Sequence, residues 1–272
     1  MLELTSRQSA VLLLAAKLRV DALNVAKRDQ TPLHAAADAH LDAMTVAVHY
    51  SFLKGRKAYK SGGTDAAVRA IRAALLVSLP PVLLKCVAAG GEAALKALPK
   101  PRAAAMRALK PQVPGQPHST TGPFGLAFNV NDPAAIEWAQ EHAAELAQGL
   151  SDTSRQAIKD AIAAALEGDG LDAAYDDILD AVGDPVRASM IARTETMWAA
   201  SEGQQQGWNQ AIDAGLLSSN DRVEWIATSG ACDICANLDG ETRPVNGEYD
   251  DSDGADGPPQ HPNCRCTEGI SA

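Results

Sequence analysis

The sequence predicts an α+β protein. A helical amino-terminal segment is followed by a carboxy-terminal domain of helices and a small β-sheet, whose end is clipped by cysteine and histidine side chains. Three observations predict this. Apolar residues recur every three or four positions early in the chain, as in Leu33, Ala37, Leu41, Met44, Val48 and Phe52. Strand-like alternation begins only after Gly215, where Arg222 to Thr228 alternates around Trp225. Four of the five cysteines fall in the last 41 residues, close to His261.

Taken in order, Thr31-Pro32 supplies an N-cap followed by proline at the first helical position. Thr64-Asp65 opens a second helix with Val68, Ile71, Leu75 and Leu79 on one side, and Pro80-Pro81 is expected to break it before Val82 to Leu98 resumes the pattern. An antiparallel helical bundle is the expected result, with Cys86 a small buried apolar side chain. Residues 99–124 read as a basic, proline-rich linker, which separates a domain over 1–98 from one over 125–272. In the second domain, helices are expected at about 133–149, 152–167, 171–182 and 184–214, punctuated by Gly149, Gly168, Gly170, Gly183 and Gly215. The last carries Ile191, Thr194, Trp198, Ser201, Gln205, Trp208 and Ile212 as its stripe, small or polar in the middle, so the facing surface should offer hydrogen-bond partners. All four tryptophans lie beyond residue 133, which predicts a sharply defined core there. Glu241 to Val245 and Cys264 to Ile270 are the candidate partners of the strand at Trp225.

At 272 residues the chain has room for one large or two ordinary domains. Ser9 to Ala16 is too short to span a bilayer, and Ala73 to Gly91 carries Pro80, Pro81 and Lys85, so a soluble protein kept in a reducing cytoplasm is expected. Charge is divided unevenly. Up to Thr120 there are 17 Lys and Arg against 7 Asp and Glu; beyond it the ratio is 7 to 27. A basic first part is compatible with a polyanion such as double-stranded DNA, and equally with lysines that merely solvate helix faces.

The strongest motif is Cys232-x-x-Cys235, followed by His261-Pro262-Asn263-Cys264-Arg265-Cys266. A Cys-x-x-Cys knuckle places two thiolates about one ion, and the later arm can complete a tetrahedral structural zinc site. Five candidate ligands, Cys232, Cys235, His261, Cys264 and Cys266, compete for four places. If the last segment is extended, Cys264 and Cys266 point to opposite faces and only one ligates. Packed reduced thiols and a pair of disulfides are the other states open to these residues, the second disfavoured in a reducing compartment. No His-Glu-x-x-His is present, and Gly230-Ala231 precedes the knuckle where a zinc deaminase has proline, so a catalytic metal has no support. The acidic run Tyr249 to Gly257 reads as a solvated loop. A calcium-binding EF-hand would need Glu where Pro262 stands.

Together, Ile191-Ala192-Arg193-Thr194-Glu195, Glu224-Trp225, the knuckle, Leu238-Asp239-Gly240 and Pro258-Pro259-x-His261-Pro262-Asn263-Cys264-Arg265-Cys266 resemble the Mu F-like minor head protein family of tailed phages. The resemblance covers about half the chain, in matching order and spacing. Thr228-Ser229-Gly230 stands where the family often has an aspartate. The resemblance implies a virion protein present in a few copies, associated with the portal and with other capsid or scaffold proteins, that serves head morphogenesis and DNA packaging or exit. It implies no catalysis. Arg193 and Glu195, two apart on a helix, are expected in a buried polar network tying the long helix to the β region. An enzyme using that pair is the least favoured reading. A module binding double-stranded DNA is the runner-up to a structural assembly factor.

Overall fold

A computed structural model describes residues 31–99, 126–164, 184–249 and 257–271. The linker at 99–124, the helix expected at 171–182 and the acidic run from residue 250 to 256 fall outside the described residues, apart from the linker's first position. The elements are α1 (Pro32–Asp38), α2 (Leu41–Lys96), α3 (Pro133–Ala164), α4 (Pro185–Asp213), β1 (Arg222–Ile226), α5 (Asp233–Leu238), β2 (Thr242–Pro244) and β3 (Thr267–Ile270). The three strands form one antiparallel sheet in the order β2-β1-β3. The protein is thus α+β, with both expected partner strands pairing with the strand at Trp225.

Contacts divide the chain into two compact units, each assembled from stretches distant in sequence. The first takes residues 42–83 and 137–192 of the described parts. It buries Met44, Val48, Phe52, Val68, Ile71, Leu75 and Leu79, the apolar positions that carry the helical period. Arg187 lies over the Phe52 ring and donates to Thr153 and Ser154.

Two expected breaks do not occur. α2 runs through Pro80 and Pro81 without interruption. Proline removes the donors to the carbonyls of Leu76 and Val77, and both residues are exposed, where water can replace them. Likewise α3 runs through Gly149, which faces open space and costs only intrinsic helix propensity. The start at Thr64 is real, because Gly63 leaves helical geometry with a φ of 69°. By length and composition the stretch from α1 through α2 is apolar enough to cross a membrane, and a third of its most apolar window is buried within the protein.

The second unit takes residues 31–41, 84–99, 126–136 and 193–271 of the described parts. Here Cys86 is fully buried, and burial pushes its thiol up to about 12. α4 is where the expected pattern fails. Trp198, placed on the buried stripe, is 44% exposed, and the buried face instead carries Ala192, Thr196, Ala199, Ala200, Gly203, Gly207 and Ala211. Small residues are needed because α4 and α2 touch backbone to backbone. A Cβ on Gly90 would overlap the Ala200 carbonyl, and one on Gly203 would overlap the Val87 carbonyl. Of the tryptophans only Trp208 and Trp225 are buried. Trp208 joins Ala94, Leu95 and Leu98 of the α2 end to Leu217, Val223 and Val245.

This crossing makes a sharp prediction. Gly203→Ala gains about 1 kcal/mol of helix propensity, but a methyl driven into a backbone carbonyl costs about 3 kcal/mol or more. The variant should therefore lose stability, read as a lower urea midpoint. An unchanged or higher midpoint would contradict the crossing.

Candidate metal centre

The sheet has one face turned inward. Register sets Val223 opposite Arg243 and Ile270, and Trp225 opposite Glu268. These side chains share a face because strand side chains alternate. Arg243 and Glu268, on the two outer strands, meet as a bidentate ion pair, Nε to Oε1 at 2.9 Å and Nη2 to Oε2 at 3.1 Å. Both are almost fully buried. The Tyr249 hydroxyl donates to the same carboxylate at 2.7 Å, and burial, with the Glu268 charge, raises its pKa. Arg243 also donates to the carbonyls of Pro244, Val245 and Gly247 and to Gln205 Oε1. Two α4 side chains complete the network: Gln204 donates to the Glu268 carbonyl and Gln205 to that of Val245.

A polar network between α4 and the sheet was therefore legible, at Gln205 and in the polar middle of the stripe. Its charged members were not. Arg243 and Glu268 look like ordinary strand residues in sequence, and only register brings them together. Of the expected pair, Glu195 is buried and Arg193 half-buried, and each has polar or electrostatic interactions of its own. Thr194, between them, accepts from the Asn263 N–H at 3.0 Å and so touches the cysteine arm.

At the other end of the sheet the cysteines gather. Cys232 caps α5, and Cys235 lies in that helix's first turn. A turn closed by the Cys264 N–H on the His261 carbonyl, with Asn263 left-handed at a φ of 63°, brings the arm back. Ligand atoms of Cys232, Cys235 and His261 lie within 4.8 Å of one another, and so do those of Cys235, Cys264 and Cys266. All five expected ligands converge, with Cys235 common to both groups. The expected alternative, Cys264 and Cys266 on opposite faces of a strand, does not arise. β3 begins only at Thr267, and the preceding turn lets both thiols face Cys235.

All five cysteines are free thiols. The Cys235 and Cys264 sulfurs are 3.8 Å apart, far beyond the ~2.05 Å of a disulfide. That spacing equals the edge of a tetrahedron of sulfurs about one zinc, ~3.8 Å for bonds of ~2.3 Å. His261 Nε2 is 3.3 Å from Cys232 Sγ and 3.2 Å from Cys235 Sγ. Its Nδ1–H donates to the Pro262 carbonyl at 2.9 Å, which leaves Nε2 with the lone pair that a metal takes.

Backbone amides prepare the sulfurs. The Cys235 N–H is the main group holding the Cys232 thiol below the usual range, helped by that of Ile234. A hydrogen bond from Cys266 does so first for Cys264, helped by the N–H groups of Cys266 and Gln260. Burial pushes Cys235 up to about 12, and Cys266 is raised chiefly by its bond to Cys264. Soft sulfur donors with an imidazole suit zinc, and not calcium or magnesium, which take oxygen ligands. Around the thiols lies a small core of Trp225, Ala227, Leu238 and Tyr249, with Trp225 edge-on to Tyr249 at 5.5 Å.

Residues 155–268 match the family model described as phage Mu protein F like protein. The match takes in all of α4, the whole sheet except the end of β3, and every candidate ligand. No curated protein and no solved structure matches the chain.

The ion pair behind the site should govern stability. Glu268→Gln keeps the shape but leaves Arg243 buried without its carboxylate, and should cost about 3–5 kcal/mol. Replacing both partners by apolar residues (Arg243→Met with Glu268→Leu) should cost much less. Denaturant unfolding of the three proteins checks the order. A single variant no weaker than the double would refute it.

Proposed function

We propose, on the premise that residues 155–268 belong to the phage Mu protein F-like family, that this chain is a structural head-morphogenesis protein carried in the phage head. It works by contact with other capsid proteins. The portal vertex is the contact that best fits the resemblance, with roles in packaging or ejection of the genome, and the host cytoplasm is the place of assembly. The observation that carries the reading is the family match over all the candidate ligands, which lie in two groups of three that share Cys235. Four of them about one ion would leave no open position, as in a structural zinc site and unlike a catalytic one. Arg193 and Glu195, on the helix under the arm, serve the fold and not a reaction. Contact of the basic first part with double-stranded DNA remains the second reading, supported by the charge asymmetry alone.

In this reading one zinc ion is held by the cysteine and histidine cluster and clips the β end. A small sheet with a core of a few side chains gains most from such a clip. Protein purified without chelator should carry about one zinc per chain by elemental analysis, and Cys235→Ser should remove it. Thiols must lose protons to bind, so affinity should fall as pH is lowered. Metal-free protein with a normal melt would sink this reading.

The assembly role has its own test. Phage heads purified with and without the portal should differ, the chain being retained only where the portal is present. Retention in both would remove the portal as its anchor, and absence from both would remove the chain from the head.

A further inference from the structure

The arm that carries His261 and Cys264 has a second attachment, at Arg265. Arg265, between Cys264 and Cys266, is bound twice by α1, a helix outside the family match. Its carbonyl accepts from His34 Nε2–H at 2.7 Å. Its guanidinium spans both carboxylate oxygens of Asp38, each at 3.5 Å. The ring has one consistent proton arrangement. A carbonyl only accepts, so the proton is on Nε2, and Nδ1 is free to accept the Thr31 N–H at 3.2 Å and its hydroxyl at 2.9 Å. One imidazole therefore closes the N-terminal box of α1 and ties it to the arm.

α1 is seven residues long, below the ~12–15 at which an isolated helix becomes even marginal in water, so its order draws on tertiary contacts. Among the described residues one is apolar, Leu33 and Ala37 against Met197 and Ala200 of α4. Another is Arg265.

The ligand geometry decides what moves with that residue. Cys232-x-x-Cys235 and His261-x-x-Cys264 are two turns with matching spacing, and Cys264 stands at tetrahedral distance from Cys235. Two bonds from an ion to Cys232 and Cys235 of the first turn, and two to His261 and Cys264 of the second, would fix the arm immediately before Arg265.

We propose that the His261–Cys266 arm couples metal binding to docking of α1. An ion held by Cys232, Cys235, His261 and Cys264 also fastens α1, through Arg265. The inference rests on the zinc reading above. Coupling is reciprocal: whatever loosens α1 weakens the metal site by the same factor by which metal tightens α1.

The test uses the full chain and zinc alone. Zinc affinity is measured against a competing chelator for the parent, for His34→Ala, and for the milder, surface-lying Asp38→Asn. Affinity should fall about tenfold in His34→Ala, and less in Asp38→Asn. In parallel, hydrogen exchange of the amides at 33–39 is followed with zinc and after chelation, with those at 203–211 of α4, buried against α2, as control. The amides of α1 should lose protection on chelation while that part of α4 keeps it. A parent that binds zinc, with unchanged affinity in both variants, would overturn the coupling and leave the zinc reading intact. So would α1 protection that ignores zinc, or α1 and that part of α4 losing protection together. A parent that takes up no zinc would overturn both.

Discussion

The structure around the candidate site depends on one buried ion pair. Three strands of three to five residues cannot bury enough apolar surface to hold themselves. Arg243 and Glu268 reach over the central strand and join the two outer ones, and Gln204 and Gln205 fasten both to α4. Removing two charges from water costs several kcal/mol each and is repaid only when every donor and acceptor is met. Here Arg243 is met by one carboxylate, three carbonyls and an amide oxygen. The pair contributes register and placement more than net stability. A slip of β2 by one residue would turn Arg243 to the other face and leave Glu268 buried without its partner.

With the sheet so placed, its far end is left with a core of a few side chains, three of them cysteines. The same thiols that fill that core are the candidate ligands. One cluster therefore packs the end of the sheet and gathers the donors that a metal would need. The Cys235 N–H favours ionisation of Cys232, and a hydrogen bond from Cys266 favours that of Cys264.

α4 carries these demands together. One face holds small residues so that α2 can approach to backbone contact, another offers Gln204 and Gln205 to the sheet, and Thr194 touches the arm. A helix with three different neighbours has no single apolar stripe. That is why Trp198, at a regular step from Ile191 and Thr194, stands exposed while the alanines beside it are buried.

The sequence alone determined the classes of element, three strand locations, the start at Thr64, the buried Cys86 and the five residues of the cysteine cluster. Each of these is written in local pattern: period, caps, and the rigid spacing of Cys-x-x-Cys and His-x-x-Cys. What only the tertiary structure decided is which faces meet. Pro80 and Gly149 lie inside helices because their local cost is met by solvent or is small. Gly90 and Gly203 matter because of a partner more than a hundred residues away. Arg243 finds Glu268, and His34 finds Arg265, across separations of 25 and 231 residues that no local pattern encodes. Pairings of that range are selected by burial, which makes an unmet charge or imidazole nitrogen costly.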